Sequence, residues 1–193
     1  RAAPENPLEA FRAINAPTLT SLTEALREAA TDDRVTGLVI HVGTCPLSAA
    51  MVDEVGAAIR AFGLHKPTLA YAETFGELTS GMFPYRLATA AGSIWLQPSG
   101  AVTLGGVHID MMLLRGGFEK LGREPQFGQR KEYKTAAETY AAEAVSDANR
   151  EMSGRLAESL VEETLATISE RRGLSVDAVR ALLDRGPIGA TEA

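Results

Sequence analysis

Cysteine is nearly absent: Cys45 is the only one in 193 residues. That excludes an internal disulfide and a cysteine-built metal site, and leaves Cys45 to be read as a small buried hydrophobe. Long apolar runs are missing as well. No stretch reaches the roughly 18 residues that a membrane span needs, and no signal-peptide pattern is visible. Histidine is sparse, and His41, His65 and His108 show no ligand spacing for a shared metal. His41 ends a strand and reads as a structural polar residue. Positive charge is in deficit, with 19 Lys+Arg against 25 Asp+Glu and a net charge of -6. No Lys/Arg stripe with interleaved aromatics offsets it, so no nucleic-acid partner is expected. No glycine-rich nucleotide fingerprint follows a strand, and no cofactor is expected. There is no internal repeat and no low-complexity segment.

What is present is an ordinary globular mixture, 45% hydrophobic and 23% charged. The length suits one domain with a real core. The chain begins at Arg1 and ends in a loop-like Gly189-Ala190-Thr191 stretch. It reads as a soluble segment of a longer protein.

Residues 1–17, with Pro4, Pro7 and Pro17, read as a loose lead-in to one domain over 18–193. Thr18 can cap a helix whose apolar face is Leu19, Leu22, Leu26 and Ala30, ended by Thr31-Asp32-Asp33. Val35 to Val42 is a β-branched apolar run, as a buried parallel strand would be. Ser48 to Phe62 is a second helix, with Met51, Val55 and Ile59 on one face. Lys66-Pro67 leads into a second buried strand, Thr68 to Ala72. Strand, helix, strand predicts an α/β domain with a largely parallel sheet and flanking helices.

Further on, residues 78–91 are small and apolar and predict a helix after Pro84. Ile94 to Leu96 is a third strand, and Val102 to Ile109 a fourth, broken by Gly105-Gly106. Met112 to Leu121 is read as helical and Pro125 to Gln129 as extended. Ser146 can cap a long helix to Arg172 with Met152, Leu156, Leu160, Leu165 and Ile168 inward. Gly173 stops it, and Ser175 caps a last helix to Leu183.

The densest group of reactive side chains is Arg130-Lys131-Glu132-Tyr133-Lys134-Thr135-Ala136. A lysine between Tyr133 and an alanine-rich stretch can be desolvated, which disfavours its charged form. A neutral amine can then take a proton from a serine hydroxyl. The alternative is a solvated charged turn before a helix, and composition alone favours it. Glu138 and Tyr140 follow the lysine and can orient it or pack beneath it, with packing the better expectation for Tyr140. Gly105 and Gly106 can let a substrate backbone approach closely, since glycine has no Cβ; a bend in the strand is the alternative.

Four stretches, in order, resemble the signal peptide peptidase A (protease IV) family. Thr31-Asp32-Asp33-Arg34-Val35-Thr36-Gly37 and the strand after it resemble the family's "DDR..TGIVL" passage. Lys66-Pro67 precedes the strand that ends near Glu73. Ile94-Trp95-Leu96-Gln97-Pro98-Ser99-Gly100 is similar to "KIWLSPQG", and Tyr133-Lys134-Thr135-Ala136 to "YKSA". The resemblance covers about residues 18–185. It implies a Clp protease/crotonase-like fold of stacked ββα units.

It also implies one half of a two-half, membrane-associated bacterial serine peptidase that degrades cleaved signal peptides. In the long bacterial form the first half carries a general-base lysine and the second a nucleophilic serine. The lysine maps onto Lys134. Lys131 is the competing choice but lacks the Tyr-Lys-Thr-Ala context. Gly105 and Gly106 fall on the strand that helps line the family's peptide groove.

The departures agree with a lysine-bearing half. The family's serine position falls at about Met82, and Ser80 is a nucleophile only under a shifted alignment. Where the serine half has a Pro-Gly-Gly oxyanion loop, this chain has Thr44-Cys45-Pro46-Leu47, and Pro46 offers no N–H. The implied partners are a serine-bearing second half or neighbouring subunit, peptide substrates, and further copies in a homo-oligomer. The fragment alone is expected to be inactive. Two alternatives remain: a non-catalytic scaffold half, or a crotonase-type acyl-CoA enzyme using Glu73 and Glu77.

Overall fold

The computed structural model describes residues 17–43, 48–77 and 79–193. The lead-in before Pro17 and the Thr44-Cys45-Pro46-Leu47 segment, to which an altered oxyanion loop was assigned, lie outside the described residues. Within them the chain forms two compact units. One comprises the described part of Arg1–Gly106 together with Thr164–Ala193, and the other is Val107–Glu163.

In the first unit, α1 (Leu19–Thr31) starts at a capping box. The Thr18 hydroxyl accepts from Ser21 N, and the Ser21 hydroxyl accepts from Thr18 N. Its last turn is closed by Lys66, whose Nζ donates to Ala29 O at 2.8 Å and Asp32 O at 2.5 Å. A cation at a helix C-terminus meets the orphan carbonyls there. Leu19 and Leu26 pack on the core, but Leu22 is exposed, so the inward stripe is narrower than its periodicity predicts.

Strand β1 (Leu38–His41) follows, then α2 (Ala49–Gly63) capped by Ser48, then β2 (Thr68–Ala72). Next come α3 (Met82–Ala88) and β3 (Ser93–Leu96). The three strands make one parallel sheet in the order β1-β2-β3, with Ile40 opposite Ala70 and Ala70 opposite Ile94. Helix α3 starts two residues before Pro84, which occupies the first turn, where its missing N–H costs nothing.

The central strand alternates between buried and half-buried residues, with Ala70 and Ala72 at full burial. The expectation of a buried β1 fails for a topological reason. β1 is an edge strand, and Val39 keeps 70% of its surface exposed, as Trp95 of β3 keeps 63%. Only the face carrying Leu38, Ile40, Ile94 and Leu96 packs on the core with α2 and α3.

Beneath the sheet, Arg86 of α3 is buried. It is ion-paired with Asp53 of α2 and donates to Thr164 Oγ1 at 3.3 Å. Arg171 donates to the Arg86 carbonyl at 3.2 Å. Burial holds the Arg171 guanidinium below its usual range, and the neighbouring Arg60 and Arg86 charges add to the effect.

The fourth strand is much shorter than Val102–Ile109. β4 (Ala101–Val102) pairs antiparallel with β5 (Ile188–Gly189), and no strand continues beyond Val102. Helix α7 (Val176–Arg185), capped by Ser175, precedes β5.

The second unit holds α4 (Arg115–Lys120), a 3-10 turn at Thr135–Ala137 and α5 (Glu138–Ala141). It also holds the start of the long helix α6 (Asp147–Arg172). Met152 and Leu156, expected inward, are exposed, whereas Leu165 and Ile168 are buried in the first unit. Among the described residues, no helix is long and apolar enough to cross a membrane.

Candidate functional site

The carboxyl ends of parallel strands gather loops and helix starts, and polar groups collect there in the first unit. His41 closes β1 and Glu73 follows β2. Their side chains meet, Nε2 to Oε2, at 2.8 Å. The His41 ring also lies against Tyr71, with centroids 5.6 Å apart. His41 is thus an exposed hydrogen-bond partner of Glu73, not a structural polar residue inside the sheet. The hydrogen bond from His41 is the main cause that holds the Glu73 carboxyl below its ordinary range. A cleft of about 310 Å³ is lined by His41, Glu73, Thr74, Glu77 and Thr79.

Glycines make this end of the sheet possible. Phe75 N donates to Ala101 O at 2.8 Å, Thr103 N to Phe75 O at 2.7 Å and Gly81 N to Thr103 O at 2.9 Å. Main chain therefore runs directly against main chain. Gly76 sits at φ 90, and a Cβ on Gly81 would stand 2.6 Å from Phe75 O.

Ser80 lies inside this lacing. Its Oγ donates to Leu104 O at 2.6 Å and accepts from Met82 N at 3.3 Å. The hydroxyl proton is committed to a carbonyl, so Ser80 ties the start of α3 to the extended segment after β4. Ser80→Ala is expected to cost ~1 kcal/mol in a denaturant melt. Turnover by the full-length protein should stay within about twofold of wild type. A loss of activity far beyond that would make Ser80 a nucleophile after all. Met82, at the position where the resemblance puts a serine, is buried at the first turn of α3.

Gly105 adopts φ 57, and a Cβ there would come within 3.3 Å of Ser80 Oγ. Gly106 is exposed, with open space where its Cβ would be. The close approach at Gly105 is thus already explained by Ser80.

Lys134 belongs to the second unit. It is exposed, and its N–H donates to Lys131 O at 3.0 Å as the chain enters the 3-10 turn. Among the described residues, its amine has no hydrogen-bond or ion-pair partner. Tyr133 and Ala136 are exposed too, so they do not desolvate it within this chain.

The residues around Lys134 are firmly held. Tyr133 Oη donates to Glu151 Oε2 at 2.9 Å, and that bond raises the phenol's pKa above its usual value. Thr135 is buried. Glu138 is buried and accepts from Ser146 Oγ at 2.6 Å, Ser146 N at 3.2 Å and Asn149 Nδ2 at 2.9 Å. These hydrogen bonds, that from Ser146 first, lower the Glu138 pKa.

Tyr140 packs between Phe127 and Phe118, with centroids at 5.9 and 6.2 Å, as expected of a packing residue. Lys131 is exposed and contributes its carbonyl to the turn. Among the described residues, no group of three or more His, Asp or Glu could hold a metal ion.

A carboxyl whose folded pKa is depressed stabilises the fold above its unfolded value and loses that contribution as pH falls through the folded pKa. Wild-type thermal stability should therefore fall below about pH 4.5. The decline should be steeper than in Glu138→Gln, whose amide does not titrate. Parallel melting curves for the two proteins down this pH range would assign the loss to another carboxylate.

Sequence comparison relates the chain to known proteins. A family model described as peptidase family S49 matches residues 61–193. The chain is 26% identical, over 168 residues, to the chloroplastic serine protease SPPA of Arabidopsis thaliana, covering 87% of this chain and 24% of that protein. It is 28% identical, over 159 residues, to protease 4 of Salmonella typhi, covering 81% of this chain and 25% of that protein. The chain spans about a quarter of the length of these curated relatives.

Proposed function

The chain belongs to peptidase family S49, whose fold is of the Clp protease/crotonase kind, and on that premise we propose that it is the lysine-bearing half of a serine–lysine peptidase. Lys134 is the general base, and the nucleophilic serine lies on a second half or a neighbouring subunit. The substrates are extended apolar peptides, cleaved signal peptides foremost, met at a membrane by an oligomer of the full-length protein. Gly105 and Gly106 line the peptide path.

The observation that carries this reading is the contrast at Lys134. Its neighbours are pinned by Tyr133–Glu151 and by Glu138–Ser146–Asn149, while its amine has no partner among the described residues. Ordering a turn costs entropy, and here the segment held between Tyr133 and Glu138 carries the Lys134 amine. The nucleophile side agrees: Met82 is buried and the Ser80 hydroxyl is already engaged.

Desolvation is what makes a lysine amine a base, so a partner surface must cover the exposed Lys134 before it can act as one. Once covered, the neutral amine takes the serine proton as the serine oxygen attacks the peptide carbonyl. It returns that proton to the leaving amine, and water then releases the acyl group. The isolated chain has no activity because it supplies the base alone.

The exposure of Lys134 also supports a second reading, a scaffold half that only builds the oligomer. A serine-directed phosphonate reagent separates fragment from whole. On the full-length protein, the label should map outside residues 1–193, and only while Lys134 is present. A label on a serine within this chain would overturn the assignment. Labelling that is indifferent to Lys134 would favour the scaffold.

A further inference from the structure

We propose that Glu138 is a positioning residue for Lys134, acting through a carboxylate clamp on the first turn of α6; this rests on the reading of Lys134 as the base.

The clamp is built from three donors on one short stretch of chain. Ser146 presents its N–H and its hydroxyl, and Asn149, itself buried, presents its amide. All three converge on the two oxygens of Glu138, the first residue of α5 and the one that follows the 3-10 turn. The Ser146 hydroxyl also accepts from Asn149 N at 3.2 Å, so the group that caps α6 is the group that grips Glu138. Asn149 is fixed in turn by Ser153, whose Oγ donates to Asn149 Oδ1 at 3.1 Å.

The consequence for Lys134 follows from chain geometry. Thr135 to Ala137 is a single 3-10 turn, so three residues separate the amine-bearing residue from the gripped carboxylate. On the other side, Tyr133 is tied to Glu151, one turn further along the same helix. Lys134 therefore stands between two anchors on one rigid element. The main chain that carries the lysine is thereby held in one place while the amine stays unbound, as suits a base that waits for a partner's serine.

A carboxylate is better suited to this than an amide. It accepts on both oxygens from all three donors, and charge-assisted hydrogen bonds are the stronger kind. In Glu138→Gln one acceptor becomes a donor that faces Ser146 or Asn149. Glu138→Ala leaves the buried Asn149 amide and the half-buried Ser146 without their acceptor.

The test uses the full-length protein and a fluorogenic apolar peptide as probe. Glu138→Ala should lower kcat roughly 10- to 100-fold with KM within about twofold, and shift the rising limb of the pH–rate profile. Glu138→Gln should recover part of that loss. Ser146→Ala, which removes one donor and spares the fold, should move the same quantities in the same direction by less, and it carries the test if Glu138→Ala does not fold.

A second readout needs no activity. In brief acetic anhydride labelling, the ratio of Lys134 to Lys131 acetylation should change in Glu138→Ala and hold in Ser80→Ala. If Lys134→Ala is inactive while Glu138→Ala keeps the wild-type kcat, pH profile and labelling ratio, the clamp proposal is overturned and the reading of Lys134 stands. If Lys134→Ala remains active, the reading of Lys134 is overturned and takes the catalytic role of the clamp with it. The labelling ratio then still reports whether the clamp orders the turn.

Discussion

Lys134→Ala in the full-length protein is expected to lower kcat/KM for an apolar peptide by about 10³-fold, within the usual worth of a positioned general base. The expected loss is this large because nothing nearby can replace the amine. Among the described residues of its unit, Lys131 is the only other lysine on the same turn, and it lies three residues earlier, outside the segment held between Tyr133 and Glu138. Lys131→Ala should therefore retain most of the activity.

Lys134→Arg makes the test sharper. A guanidinium keeps the charge and most of the reach but does not deprotonate in a protein. If Lys134 merely paired with a carboxylate across a subunit contact, arginine would restore function. If it is a base, arginine will be as inactive as alanine, with the oligomer intact by light scattering. Substantial turnover in Lys134→Ala would remove the lysine from the mechanism and leave the scaffold reading in possession.

The helices and their caps were legible because their signals are local. Thr18 and Ser175 each cap the helix they were expected to cap, through bonds spanning three residues, and Ser48, read as the start of its helix, caps it in the same way. The three parallel strands were legible for the same reason, as short apolar runs between breakers. What the sequence does not carry is which strand lies at an edge. Val39 sits in a run that reads as buried, yet sheet order leaves one face of β1 uncovered. Met152 and Leu156 make the same point for α6, since a 3.6-residue period names a face but not what covers it.

At the candidate site, Lys134 was legible through its motif. Its environment was not: Tyr133 and the alanine-rich stretch suggested desolvation, and folding leaves Tyr133 and Ala136 exposed. Asn149 and Glu151 gave no signal of their own, because their roles depend on the first turns of α6 lying against the lysine turn. Arg86 was missed because its partners Asp53 and Thr164 are far away in sequence.

The loops at the carboxyl end of the sheet carry the other large effect. Gly76→Ala is expected to destabilise the first unit by ~3 kcal/mol or more. Two costs act at once. The residue sits at φ 90, where an L side chain is strained. Its new Cβ would also collide with Thr103 O and stand 2.5 Å from Gly81 N, and both are main-chain atoms. Neither can rotate away as a side chain would, because Gly81 N already donates to Thr103 O and Phe75 is bonded on both sides to 101–103. Relief would require breaking that lacing, which holds β4 and the segment after it that carries Gly105 and Gly106. For a chain of this size the melting temperature should drop by about 6–12 °C. Gly106→Ala is the control for the fold, since its Cβ would enter open space without a strained φ, and its stability should stay within about 0.5 kcal/mol of wild type. If Gly76→Ala melts with wild type, the main-chain approach between 75–81 and 101–103 is not what holds this end of the sheet together. If Gly106→Ala folds normally but raises KM for the peptide, space above Gly106 is used by substrate, as the peptide-path assignment requires.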